Sequence, residues 1–298
     1  MTEAIDIDDL EKKYAKGIMR KQVIAVSGVS LQVKQGEAFG FIGPNGAGKS
    51  STIRILAGLA RPTHGSVRLF GIDSQLPEAR RGVGYVPENP CLYDYLTPLE
   101  ILCMGMRLHH VRKKDTHKHC LDWLERLELA HVANSPIRSF SKGMTQRVAI
   151  AHALCIEPKL LILDEPLSGL DPLGRRDVVD LLSDYKASGG TLFFTSHVLH
   201  DVERLADRFG LINKGEIRSV SSPNELVGDD ETILVRSSGS MPVDGMREET
   251  AQRWAAEIPR AQLWMQLERL RAAGHNLVEV KSALSLEAAF MRAIGHAA

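Results

Sequence analysis

The chain has 298 residues, 44% of them hydrophobic and 5% aromatic, enough for one large domain or a medium domain with an appendage. Lys+Arg and Asp+Glu both number 37, and this zero formal net charge argues against nucleic acid as a partner held mainly by charge, local basic patches aside. Cys91, Cys103, Cys120 and Cys155 are scattered without a C-x-x-C pair, which fits a reducing compartment and no disulfide framework.

The N-terminal stretch MTEAIDIDDLEKK is acidic and lacks a long apolar core, so it does not read as a signal peptide. Ile5 to Phe70 is rich in strand-like segments, with Val23–Val33 alternating loosely as a half-buried strand. Ala38–Ile42 reads as a buried strand and Ser51–Leu59 as a helix, with the octapeptide GPNGAGKS between them. Pro62–Gly65 is a turn before a strand at Val67–Phe70, and Glu88–Asp94 is a loop. Thr97-Pro98-Leu99-Glu100 starts a helical stretch reaching about Ala133, with a threonine cap, a proline and a glutamate in the expected places.

Ser141 begins a helix to about Ile156, and Leu160–Leu163 reads as a central strand ending in Asp164-Glu165-Pro166. Arg175–Ala187 is helical, Thr191–Thr195 is a second central strand, and Asn213-Lys214-Gly215 is a hairpin turn. Strands alternating with helices predict a mainly parallel sheet covered on both faces. Composition shifts near Asn224–Glu231. The tail beyond reads as strands at Thr232–Arg236 and Leu277–Lys281, with helices at Arg247–Ile258, Arg260–Ala273 and Leu286–Ile294. No run approaches the ~18 apolar residues of a membrane helix, so a path through a membrane would have to come from another polypeptide.

GPNGAGKS, residues 43–50, fits G-x-x-x-x-G-K-[ST], a loop that wraps phosphates. Gly43, Gly46 and Gly48 admit backbone conformations that turn successive N–H groups inward, with Pro44, Asn45 and Ala47 filling the loop. Lys49 adds a charge for the terminal phosphates. Ser50, with Ser51 behind it, offers a hydroxyl to Mg²⁺ at the positive end of a helix. In an open α/β sheet ligands sit beyond the carboxyl ends of the strands, which brings Asp164 towards Ser50 and its metal. Glu165, one residue on, is placed to polarise a water, and Pro166 predicts an extended backbone there.

With these residues the chain resembles the nucleotide-binding subunit of an ATP-binding cassette (ABC) transporter over roughly Ile5 to Val227. Phe140-Ser141-Lys142-Gly143-Met144-Thr145-Gln146-Arg147 stands where the family has its signature, Ser168-Gly169-Leu170-Asp171 matches its dimer-contact loop, and His197 after Thr195-Ser196 matches its switch histidine. Tyr14 matches the residue that stacks on adenine, although packing at a strand edge is an alternative for it. The resemblance implies an α/β P-loop NTPase of ABC type. Its parts are an N-terminal antiparallel β subdomain, a helical subdomain at about 92–140, and a small C-terminal α/β appendage. The ATPase domain is then 1–228 and the accessory domain 229–298. The resemblance further implies ATP and Mg²⁺ as ligands, Glu165 as general base, and His197 on the γ-phosphate. Two copies would close head to tail so that Ser141, Lys142 and Gly143 of one meet the nucleotide of the other, with Asp171 at the contact. The resemblance also implies a multi-span permease as partner and a cytoplasmic location on the inner face of the membrane. The variant signature and the tail Leu284–Phe290 look like the bacterial antibiotic-resistance and multidrug export branch. A soluble cassette ATPase of DNA repair or translation is the alternative.

Three departures stand out. Glu88 occupies the place of the family's glutamine and adds a carboxylate beside the metal. In the signature Lys142 replaces a glycine and Met144 the usual glutamine, and Lys142 either approaches the partner's nucleotide or stays solvated. His109, His110, His117, His119 and Cys120 cluster in the helical stretch, but their spacing fits no zinc pattern and reads as a solvated face. The tail either regulates the dimer or packs as an appendage.

Overall fold

The computed structural model describes residues 3–16, 21–223, 225 and 232–282. Two compact units divide at residues 221 and 222. In the first, β1 (Glu3–Lys16) and β2 (Lys21–Lys34) form a long antiparallel pair, extended by β4 (His64–Leu69) and β5 (Ile72–Asp73) in the order β2-β1-β4-β5. The strands are longer than their sequence suggested, because bulges near Asp8 to Lys12 interrupt the alternation that marks a strand.

The central sheet has the order β10-β9-β3-β8-β7-β6. It is built from β3 (Ala38–Ile42), β6 (Val83–Val86), β7 (Leu160–Leu163), β8 (Thr191–Ser196), β9 (Arg208–Asn213) and β10 (Glu216–Ser221). All neighbours run parallel except β9 and β10, which turn at Lys214-Gly215 as expected. Every residue of β3, β7 and β8 is buried, which is why these strands read as continuous apolar runs. Phe39 stacks on Phe193 at 5.9 Å in the core.

The helices are α1 (Lys49–Leu56), α2 (Pro98–Leu108), α3 (Thr116–Arg126), α4 (Lys142–Cys155), α5 (Pro172–Ala187) and α6 (Leu199–Leu205). Thr97 caps α2 reciprocally: the Glu100 amide donates to its hydroxyl at 3.3 Å, and its own amide donates to the Glu100 carboxylate at 2.8 Å. The stretch expected to be helical from Thr97 to Ala133 is broken after His109, because His110 takes a left-handed backbone (φ 56°) and the chain restarts at the Asp115 cap. The histidine cluster accordingly splits between a helix end and α3, and His119 spends a ring nitrogen on the Cys155 carbonyl at 2.9 Å. Among the described residues no group of three histidine, cysteine or acidic side chains is arranged to hold a metal.

Among its described residues, the second unit is an antiparallel sheet, order β12-β13-β11-β14, with one α-helix. Its elements are β11 (Thr232–Ser238), β12 (Arg247–Thr250), β13 (Arg253–Pro259), α7 (Leu263–Ala272) and β14 (Asn276–Ser282). The helix expected over Arg247–Ile258 is instead a hairpin, reversing at Gln252 (φ 62°). Arg, Glu and Ala favour a helix, but pairing with β11 buries Ala255, Ala256 and Ile258, and tertiary burial overrides propensity. The helix expected at Leu286–Ile294 lies outside the described residues.

Candidate functional site

The phosphate-type loop follows β3 and is crowded from behind. A Cβ at Gly43 would lie 2.2 Å from the Ile212 carbonyl, and one at Gly48, where φ is 114°, 2.4 Å from the Ala25 carbonyl. Glycine is therefore required at both positions. The β9–β10 hairpin braces the loop: the Gly215 amide donates to the Ala47 carbonyl at 2.9 Å, and the Gly215 carbonyl accepts from Ser27 at 2.8 Å. Lys49 is buried, and its ammonium donates to the Gly43 carbonyl at 2.7 Å and to the Pro44 carbonyl at 3.4 Å.

Asp164 and Glu165 leave the end of β7 beside this loop. Asp164 is buried and its Oδ1 accepts from the Ser50 hydroxyl at 3.4 Å and from the Thr195 hydroxyl at 2.8 Å. Its negative charge and the burial of the neighbouring phenol together push the Tyr85 pKa up, burial being the larger cause. Glu165, with a side chain 11% exposed, sits 3.6 Å from the Lys49 ammonium and 2.7 Å from His197 Nδ1. A carboxylate only accepts, so Nδ1 carries the proton. Sequence predicted an extended backbone at Glu165. The structure corrects this: φ is 50°, because the Glu165 amide is held by Thr195 Oγ1 at 2.8 Å while its carbonyl accepts the Ser168 amide at 3.0 Å and closes a turn. Such a conformation costs about 1–3 kcal/mol and persists only where its surroundings impose it.

One cavity of about 530 Å³ gathers the loop from Asn45 to Ser51 with Tyr14, Glu88, Glu165 and His197. Tyr14 is half-buried on β1 opposite Val23, with the Lys12 ammonium 4.8 Å from its ring. Glu88 is exposed in the loop after β6. Ser141, Lys142 and Gly143 lie outside this cavity. Ser141 caps α4 by accepting the Met144 amide at 3.3 Å, which leaves the start of that helix exposed. Lys142 lies along Gly169, so its aliphatic stem packs within its own chain. Asp171 caps α5 without a side-chain cap bond and stands 3.5 Å from Arg147 on α4.

Sequence reasoning missed two residues that organise this region. Buried Gln146 donates to the Pro166 carbonyl at 3.0 Å and ties α4 to the loop that carries Glu165. Buried Thr195 touches both acids. The available signal was the same for each: a polar residue inside an otherwise apolar buried face must have a partner.

This fold, with a glycine-walled anion loop after β3 and two consecutive acids at the end of β7, is that of a P-loop nucleotide hydrolase. Residues 26–168 match the family described as ABC transporter. The chain is 40% identical over 231 residues to an uncharacterized ABC transporter ATP-binding protein of Nostoc sp., covering 76% of this chain and 69% of the relative. It is 34% identical over 240 residues to the linearmycin resistance ATP-binding protein LnrL of Bacillus subtilis, covering 79% and 75%. The dimeric, ADP- and phosphate-bound cassette MJ0796 superposes with a TM-score of 0.68 at 26% identity, covering 73% of this chain and 98% of that one. The chain belongs to the ATP-binding subunits of ABC transporters, and is an ATPase. These relatives favour a transporter ATPase over the repair or translation alternative. No helix among the described residues is long and apolar enough to cross a membrane.

Proposed function

We propose that the chain powers export through a separate membrane permease by closing head to tail on a second copy of itself around ATP. The observation that carries this reading is the clamped carboxylate of Glu165, enclosed between Lys49 and His197 in the cavity of the phosphate loop. Loop amides and Lys49 bind the phosphates, and Tyr14 at the far side of the cavity stacks on the base. Glu165 accepts the proton of an attacking water. His197 holds Glu165 through Nδ1–H, and donation to the γ-phosphate as well would use Nε2 of the doubly protonated ring.

The donor set suits Mg²⁺. Ser50 and Asp164 supply adjacent hard oxygens, Glu88 lines the cavity of the phosphate loop together with Ser50, and among the described residues no three acidic, histidine or cysteine groups converge, so the ion would share phosphate oxygens. Mg²⁺ there would neutralise charge on the phosphates. The exposed start of α4 supports a role for Ser141, Lys142 and Gly143 towards the nucleotide of a second copy, with Asp171 at the contact. The similar cassette MJ0796 is dimeric in a post-hydrolysis state, which supports the dimer in this proposal. Export of an antibiotic-like compound rests on relatives named for linearmycin resistance, bacitracin transport and daunorubicin resistance. A permease partner would hold this subunit on the inner face of the membrane, with residues 229–298 as an accessory domain. The test is Glu165→Gln: ATP binding is expected to persist while hydrolysis falls by ~10²–10⁴-fold. Turnover near that of the native protein would overturn the assignment.

A further inference from the structure

Thr195 belongs to none of the motifs that define the site, yet its hydroxyl joins the two acids. Thr195 is fully buried at the end of β8, where its backbone is paired with Phe41 of β3. Its Oγ1 accepts the Glu165 amide at 2.8 Å and donates its proton to Asp164 Oδ1 at 2.8 Å. The direction of the chain of bonds is fixed, because an amide only donates and a carboxylate only accepts. Asp164 Oδ1 in turn takes the Ser50 hydroxyl, so a continuous path runs from the phosphate loop through Asp164 and Thr195 to the backbone of Glu165. That backbone is left-handed, a state the residue before a proline does not adopt unaided.

We propose that Thr195 is a positioning residue for ATP hydrolysis. Its hydroxyl holds the Glu165 backbone and the Asp164 carboxylate in one relation, so that the base and the Ser50–Asp164 oxygen pair are aimed together. This rests on the reading of Glu165 as general base. The hydroxyl is not needed to anchor the neighbouring His197: Ser196 accepts the Val198 amide at 2.9 Å and donates to buried Asp201 at 3.2 Å, and Asp201 is held by Arg175 at 2.8 Å. Removing the Thr195 hydroxyl therefore acts on the acids first and leaves the Ser196–Asp201 support of the strand end beside His197 in place. Thr195→Val keeps the volume, strands the Glu165 amide and deprives Asp164 of its shorter donor.

The experiment compares T195V and T195S with the native protein and with E165Q. Misplacing a reacting group by about 1 Å costs on the order of 10²-fold. T195V is therefore expected to lower kcat roughly tenfold to a hundredfold, with KM for ATP within about twofold. T195S, which retains the hydroxyl, should recover to within about threefold. Amide hydrogen exchange of the peptide carrying Glu165 reads the bond without activity, and should speed up in T195V and not in T195S. Native kcat in T195V, or an equal loss in T195S, would overturn the proposal. Should T195V not fold, Thr195→Cys supplies only a weak donor and is expected to lose several-fold in kcat, roughly midway between the other two; native turnover there would also overturn it. If E165Q hydrolyses ATP at the native rate, the base reading fails. If E165Q is slow while T195V is native, only the role of Thr195 fails.

Discussion

The phosphate-loop end and the signature end of the first unit carry the same kind of chemistry and are built in opposite ways. Gly43 to Ser50 is braced by the β9–β10 hairpin, walled by carbonyls too close for a side chain, and tied to buried Asp164 by the Ser50 hydroxyl and to Glu165 by the Lys49 ion pair. Ser141 to Gly143 forms an exposed helix start whose serine bonds only its own helix and whose lysine lies along the chain surface. The first is a finished binding surface within one chain. The second is a helix start that faces outward, bonded only to its own capping serine. The contrast fits the proposed two-copy site, in which one half encloses a nucleotide and the other is offered outward to a second copy.

The sharpest break in this comparison is a pair of matched substitutions. Gly48→Ala drives a Cβ against the Ala25 carbonyl at φ 114°, and strain of about 1–3 kcal/mol corresponds to a loss of ATP affinity of roughly fivefold to 150-fold by equilibrium binding. Gly143→Ala meets the Gly169 carbonyl at 3.3 Å and Leu170 at 3.7 Å, away from the phosphate loop, so ATP affinity of the isolated chain should stay within about twofold while steady-state hydrolysis falls. Equal losses of affinity in both variants would erase the distinction. A smaller effect is expected at Glu88, which lines the cavity without a bond to Asp164 or Glu165. Glu88→Gln removes one negative charge beside two acids, and should shift the Mg²⁺ concentration for half-maximal ATPase by a few-fold. An unchanged Mg²⁺ titration would remove Glu88 from the metal's surroundings.

Much of the site is legible in sequence because its chemistry is local. The glycine spacing of the phosphate loop, the apolar run before Asp164-Glu165 and the capping serine before α4 each act through their own backbone. What escaped depends on residues far apart in the chain. Thr195 meets Glu165 across thirty positions and Gln146 meets Pro166 across twenty, and no local pattern records such a meeting. The backbone of Glu165 was misread for the same reason, since the local preference set by Pro166 yields to the bond from Thr195. In the second unit, the helix-favouring residues of Arg247–Ile258 are recruited into strands by β11, and the ion pairs of Arg236 with Glu249 at 3.0 Å and Glu279 at 2.8 Å lie on that sheet.

The central claim is that an active site needs the phosphate loop of one copy and the signature of another. Lys49→Ala and Ser141→Arg each disable one half, and each alone should abolish hydrolysis in a homodimer. Mixed together, the two inactive proteins form some dimers in which the intact loop of one faces the intact signature of the other. The account predicts that ATPase activity reappears on mixing, well above either parent. Two dead proteins that remain dead when mixed, while still forming dimers, would contradict it.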